Sequence, residues 1–205
     1  MTRRQIELRP ALEALRTART DELVITSMGA AREWMELGSH PLDFVFVPSS
    51  MGQTTALALG IALARPERRV VAVCGDGSTL MNLGSLVTIT ALGPTNLVVL
   101  LFDNGVYEVT GAQLTPGSAA RRRDARDIDY VALARACGFT RVERYDTLAR
   151  WSAEVGSVLR RPGPLFVVVP VLPVAGASGP RSPGPAPPRV RELARRLAEP
   201  EERSR

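Results

Sequence analysis

Cysteine is scarce in this chain: two occur in 205 residues, Cys74 and Cys137, far apart and in no C-x-x-C pair. Neither a disulfide framework nor a cysteine zinc site is expected. Cys74 lies in an apolar run and reads as a small buried hydrophobe. No stretch reaches the length of an uncharged membrane span. The first residues, MTRRQIELRPALEALRTART, lack the apolar h-region of a signal peptide. A cytoplasmic protein is the expectation. Aromatics make up 5% of the residues and interleave with no basic stripe, so the net charge of +5, carried by arginine, does not point to nucleic acid. No P-loop pattern G-x-x-x-x-G-K-[ST] occurs, and there are no internal repeats.

What is present is an ordinary globular composition, with length for one domain or for one domain plus an appendage. Leu12 and Leu15 give residues 10–19 the spacing of a short amphipathic helix. Strands are expected at 23–26, 44–47, 70–73, 96–102 and 165–170. Helices are expected at 30–37, 55–65, 79–92, 128–137 and 146–160. The runs VVAV, NLVVLLF and LFVVVP are continuously apolar rather than alternating, the pattern of strands buried on both faces of a parallel sheet. The alternation of strand and helix predicts a three-layer α/β/α domain with a mainly parallel sheet over residues 1–170. After Pro170 the texture changes to PVLPVAGASGPRSPGPAPP, read as an extended arm that wraps this subunit or a neighbour. Residues 171–205 then comprise that arm and a short charged terminal helix.

Chemistry concentrates where two apolar runs end, one in Gly75-Asp76-Gly77 and the next in Asp103-Asn104-Gly105. Ligands of open α/β sheets bind outside the carboxyl ends of the strands. Glycines there let backbone approach a ligand, and the helix after Gly77 offers free N–H groups to a phosphate. An acid at Asp76 beside that phosphate calls for a cation between them. Hard oxygen donors suit Mg2+: the Asp76 carboxylate, the Asn104 side-chain carbonyl and the backbone carbonyl of Val106. A dinucleotide fingerprint would need a third glycine, and Leu80 stands there.

This pair of loops, one helix and one strand apart, resembles the diphosphate and metal motif of thiamine diphosphate enzymes, with Asp103 replacing the first Asn of the usual NN. The segment PSSMG at 48–52 is similar to the family's stretch before a small-residue helix, with Ser49 where glycine is usual. Downstream, DNGVYEVTGAQ resembles the DNGxYxSTGGQ run of the sulfopyruvate decarboxylase β subunit and phosphonopyruvate decarboxylase, with Ala112 replacing a glycine. The resemblance covers roughly residues 10–200. It implies thiamine diphosphate and Mg2+ as cofactors, held by Ser27, Ser49, Ser50, Met51, Gly75, Asp76, Gly77, Ser78, Asn104, Val106 and Tyr107. Met51 would impose the V-shaped conformation of the cofactor, the Ser49 carbonyl would meet its aminopyrimidine, and Gly77 and Ser78 would bind diphosphate through N–H groups.

Full-length members carry a pyrimidine-binding domain, with an activating glutamate, ahead of the domain seen here. The resemblance therefore implies a split enzyme, in which a separate subunit supplies that domain and no catalytic residue is certain in this chain. His40, the sole histidine, is a possible general acid but more simply an exposed loop residue. Arginines 121–123 are candidates for an anionic substrate, or a solvated surface. The implied activity is decarboxylation of a 2-oxo acid. Two alternatives stay open: a two-component carboligase of the acyloin or acetolactate type, and a non-catalytic phosphate- or nucleotide-binding or regulatory subunit.

Overall fold

The valine- and leucine-rich runs occupy the centre of one sheet, and helices cover both of its faces. The computed structural model describes residues 6–48, 51–119 and 126–198. In chain order the elements are α1 (Leu8–Ala18), β1 (Leu23–Thr26), α2 (Met28–Glu36), β2 (Asp43–Val45), α3 (Thr54–Ala64), β3 (Val70–Gly75), α4 (Asp76–Met81), α5 (Gly84–Leu92) and β4 (Leu97–Asp103). A hairpin of β5 (Val106–Tyr107) and β6 (Gln113–Leu114) follows, then α6 (Tyr130–Ala136), β7 (Arg141–Arg144), α7 (Leu148–Arg160), β8 (Leu165–Pro170) and α8 (Ala186–Ala198).

Six strands form one sheet in the order β2-β1-β3-β4-β8-β7, and every pairing is parallel. The mainly parallel sheet read from sequence is thus wholly parallel, with the short β5–β6 hairpin apart from it. Side chains alternate between the two faces, as strand geometry requires. Val71, Val73, Val98, Leu100, Val167 and Val169 pack with the buried faces of α1, α2 and α7. Val70, Ala72, Cys74, Leu97, Val99 and Val168 pack with α3, α5, α6 and α8. The three-layer arrangement follows. On α1 the buried Leu8, Ala11, Leu12 and Leu15 make one stripe, and the Trp151 indole N–H of α7 donates to the Ala11 carbonyl at 2.8 Å.

Three local differences from the sequence reading have physical causes. The single helix expected at 79–92 breaks at Asn82, whose backbone leaves the helical region (φ −142°, ψ 51°). Its side-chain amide donates instead to the Gly52 carbonyl, 2.8 Å away. Strand β7 was not foreseen because its sequence is Arg-Val-Glu-Arg; as an edge strand it pairs with β8 alone and needs little apolar surface. The terminal helix begins at Ala186, with Pro187 and Pro188 in its first turn, where a missing N–H costs nothing.

The arm after β8 lies on this same subunit. Val171 bridges to Ile6. The Val174 N–H donates to a carboxylate oxygen of Glu108 at 2.8 Å, and Arg32 of α2 donates to the Ser178 carbonyl at 2.9 Å. Arg189 of α8 reaches the Val45 and Val47 carbonyls at 2.6 and 2.5 Å, beside β2. Leu193 and Leu197 are buried against the second helical layer. The chain therefore crosses the carboxyl edge of the sheet from β8 to the β2 side.

Candidate active site at the carboxyl edge

From β1 the chain turns outward to β2, and from β3 it turns the other way to β4. That reversal leaves a crevice above the carboxyl ends of β1 and β3, where open α/β sheets bind ligands. A cleft there is lined by Ser27, Met51, Gly75, Asp76, Gly77, Ser78, Asn104, Val106 and Tyr107. Nine of the residues proposed from sequence are thus brought to one place. Ser49, Ser50 and arginines 121–123 lie outside the described residues.

Asp76 is the electrostatic centre. It is 1% exposed. Burial, and next the charge of Asp103, push its carboxyl up to about 6, against the pull of the Thr115 hydroxyl and the N–H groups of Asn104 and Gly77. The Thr115 Oγ1 donor lies 3.0 Å from Asp76 Oδ2. All these donors are neutral, so among the described residues the Asp76 carboxyl is buried beside a second acid and is held by no cationic group. Such a group lacks the positive charge that a cation would bring. Asn104 Oδ1 accepts the Val106 N–H at 3.0 Å, which shapes the loop and leaves one lone pair of that oxygen. A carboxylate, an amide carbonyl and nearby backbone oxygens form a donor set for a hard divalent cation. Among the described residues no group of three or more His, Cys, Asp or Glu forms a metal cluster, and a site of this mixed kind would not be one.

Glycine is required at two positions for stated reasons. A Cβ on Gly77 would stand 2.4 Å from Tyr107 Cε1, so the ring lies directly against this backbone. Gly52 has φ +90°, and a Cβ there would meet the Asn82 Cβ at 2.7 Å. Its N–H donates to Ser78 Oγ at 2.7 Å and its carbonyl accepts from Asn82. Two side chains of the segment after Gly77 therefore clamp the backbone next to Met51 and fix it relative to Asp76. The Ser78 hydroxyl is engaged in this clamp. Ser27, at the end of β1, accepts a hydrogen bond from Thr54 Oγ1 at 2.8 Å.

His40 does not join this cleft. It lines a separate groove with Trp34, Pro188 and Arg189, its Nδ1 accepts the Leu42 N–H at 3.1 Å, and burial lowers its pKa. Cys74 lines the cleft floor, where burial pushes its thiol up to about 12, so it is not a reactive thiolate. Thr115 and Glu108, which act on the site, escaped the sequence reading. Thr115 reaches Asp76 from 39 positions away. Glu108, 7% exposed, lines the cleft and holds Val174 of the arm. Neither belongs to a spacing that a single sequence displays.

Residues 26–169 match the family model of thiamine pyrophosphate enzymes, C-terminal TPP binding domain. The chain is 39% identical over 164 residues to sulfopyruvate decarboxylase subunit beta of Methanothermobacter thermautotrophicus, covering 80% of each chain. It is 38% identical over 151 residues to phosphonopyruvate decarboxylase of Streptomyces hygroscopicus, covering 74% of this chain but 35% of that one. In fold it is similar to the X-ray structure of a Mycobacterium smegmatis protein described as thiamin diphosphate-dependent. That match has a TM-score of 0.67 at 23% identity, and covers 82% of this chain and 32% of that one. The chain thus spans most of one relative and about a third of the two longer ones. It belongs to the thiamine pyrophosphate enzymes, as a C-terminal TPP-binding domain of that family.

Proposed function

We propose that this chain is the diphosphate-binding subunit of a two-component, thiamine diphosphate- and Mg2+-dependent 2-oxo acid decarboxylase, acting on a sulfonated or phosphonated 2-oxo acid. The observation that carries it is the buried Asp76 carboxylate, held by neutral donors beside Asp103 and next to Asn104 and Val106. Mg2+ fits this donor set and would be held by the Asp76 carboxylate, Asn104 Oδ1 and the Val106 carbonyl. When bound, thiamine diphosphate supplies the electron sink for loss of CO2. The residues of this chain bind and orient. Backbone N–H groups at Gly77 and Ser78 would bind the diphosphate and Met51 would support the cofactor, while the Tyr107 ring lies against Gly77.

The partner is supported by the relatives. A protein named as a subunit beta matches this chain over 80% of both lengths, whereas a phosphonopyruvate decarboxylase is matched over only 35% of its own. A separate chain would supply the pyrimidine-side domain and its activating glutamate. Decarboxylation is favoured over carboligation because the stronger matches are decarboxylases, with an acetolactate synthase large subunit at 29% identity behind them. Two free thiols suit a cytoplasmic setting, and no helix of the described residues is long and apolar enough to cross a membrane.

The test is calorimetric titration of thiamine diphosphate into the partner-loaded protein, with and without Mg2+. Binding is expected to require Mg2+ and to vanish in Asp76→Ala. Undiminished binding in that variant would overturn the assignment. Release of CO2 from sulfopyruvate or phosphonopyruvate, with the free aldehyde as product even when a second aldehyde is added, separates decarboxylation from carboligation.

A further inference from the structure

Thr115 stands behind the cleft and is not one of its lining residues. It follows β6 directly, is 0% exposed and reaches three parts of the site. Its Oγ1 donates to Asp76 Oδ2 at 3.0 Å. Its N–H donates at 2.9 Å to the carbonyl of Gly105, the residue between Asn104 and Val106. Its methyl group faces Gly77, where an added Cβ would stand 3.3 Å from Thr115 Cγ2. One residue therefore ties the acid that follows β3 to the loop that follows β4.

The hydroxyl, not the shape, is what distinguishes threonine here. A valine would fill the same space without a buried polar atom to satisfy. The hydroxyl is also neutral. It holds the carboxylate without cancelling its charge, as a lysine or arginine in its place would. Asp76 thus stays available to a cation while its orientation is fixed.

That hold has a consequence for which cation fits. The bond commits one lone pair of Oδ2 and fixes the plane of the carboxylate, which disfavours binding a cation through both oxygens at once. Mg2+ demands near-ideal octahedral geometry and short bonds. Ca2+ takes more and longer bonds, and accepts both oxygens of one carboxylate. We propose that Thr115 is a positioning residue that sets the cation preference of the site: by holding Asp76 Oδ2 it keeps Asp76 a one-oxygen ligand, which favours Mg2+ over Ca2+. This rests on the cofactor reading above.

The test is calorimetric titration of thiamine diphosphate into the partner-loaded protein at stepped concentrations of Mg2+ or Ca2+. Wild type is compared with Thr115→Val, Thr115→Ala and Thr115→Ser. Every variant keeps the backbone bond to Gly105, and valine removes the hydroxyl alone. Wild type is expected to need less Mg2+ than Ca2+ for cofactor binding. In Thr115→Val the Mg2+ requirement should rise by about 10–100-fold, the usual loss when a ligand's supporting hydrogen bond is removed. The Ca2+ requirement should move by less than about threefold, because a freed carboxylate can bind that ion through both oxygens. Alanine should repeat the valine result, and decides the question if valine does not fold. Serine should restore the wild-type preference, since it keeps the hydroxyl. Equal weakening with both ions, as a merely structural role would give, or no weakening with either, would overturn the role of Thr115 and leave the cofactor reading standing. So would a serine variant that behaves like valine, or a wild type that needs less Ca2+ than Mg2+. A wild type that binds no thiamine diphosphate with either ion would overturn both.

Discussion

Removing the charge at Asp76 should make the isolated chain more stable while destroying its capacity to bind cofactor. The carboxyl is pushed from its ordinary 3.8 up to about 6. At ~1.4 kcal/mol per unit of pKa, ionising it in the fold costs about 3 kcal/mol more than in the unfolded chain. The folded chain holds this proton more tightly than the unfolded chain does. This group's contribution is therefore fully present below about pH 4, falls as the pH rises toward about 6, and is flat above that. Asp76→Asn removes the charge and keeps the shape. It weakens the hydrogen bonds from Thr115, Asn104 and Gly77, so the net gain at pH 7.5 should be about 1–2 kcal/mol. For a domain of this size that raises the melting temperature by about 2–8 °C. Thermal melts of the isolated chain at pH 7.5 and pH 4 check it. The variant should lead at the higher pH, lose that lead at the lower, and gain nothing from added Mg2+ and thiamine diphosphate. A wild type more stable than the variant at pH 7.5 without cofactor would refute the reasoning, because the buried charge would then have a compensation that this account lacks.

Gly77→Ala places a methyl against the Tyr107 ring and should destabilise by about 1–3 kcal/mol. In a Tyr107→Ala background the same change should be close to neutral, and denaturant melts of the four proteins measure the difference. Glu108→Ala removes the acceptor of the Val174 N–H. It should speed proteolytic cleavage between residues 172 and 185, read on a gel time course, with little change in melting temperature. Trp151→Phe loses the indole bond to the Ala11 carbonyl, an oxygen inside helix α1 that keeps its intrahelical partner, and should cost about 0.5–1.5 kcal/mol in a urea melt.

The parts of this fold that show in the sequence are those whose burial is symmetrical. Strands β3, β4 and β8 are buried on both faces and so appear as unbroken apolar runs. Strand β7 hides because an edge position lets Arg141, Glu143 and Arg144 remain charged. The break at Asn82 hides for another reason: the residues around it suit a helix, and only a hydrogen bond to Gly52, 30 positions earlier, unwinds it. The site divides in the same way. Gly75-Asp76-Gly77 and Asn104 follow strands by fixed spacing, so their convergence is readable from the chain. Thr115 and Glu108 act across 39 and 66 positions, through a hairpin and an arm whose path no local pattern dictates.

The guanidinium fork of Arg189 has an effect on how this molecule can assemble. It donates to the Val45 and Val47 carbonyls, along the outermost strand of the sheet. Main-chain acceptors there are the groups that would otherwise recruit a further strand. At the opposite border the charges of β7 discourage the same event. Lateral extension of the sheet is disfavoured at both ends, and its own carboxyl-terminal helix covers part of one of them. A chain cut before Arg189 would expose one border and should precipitate through it.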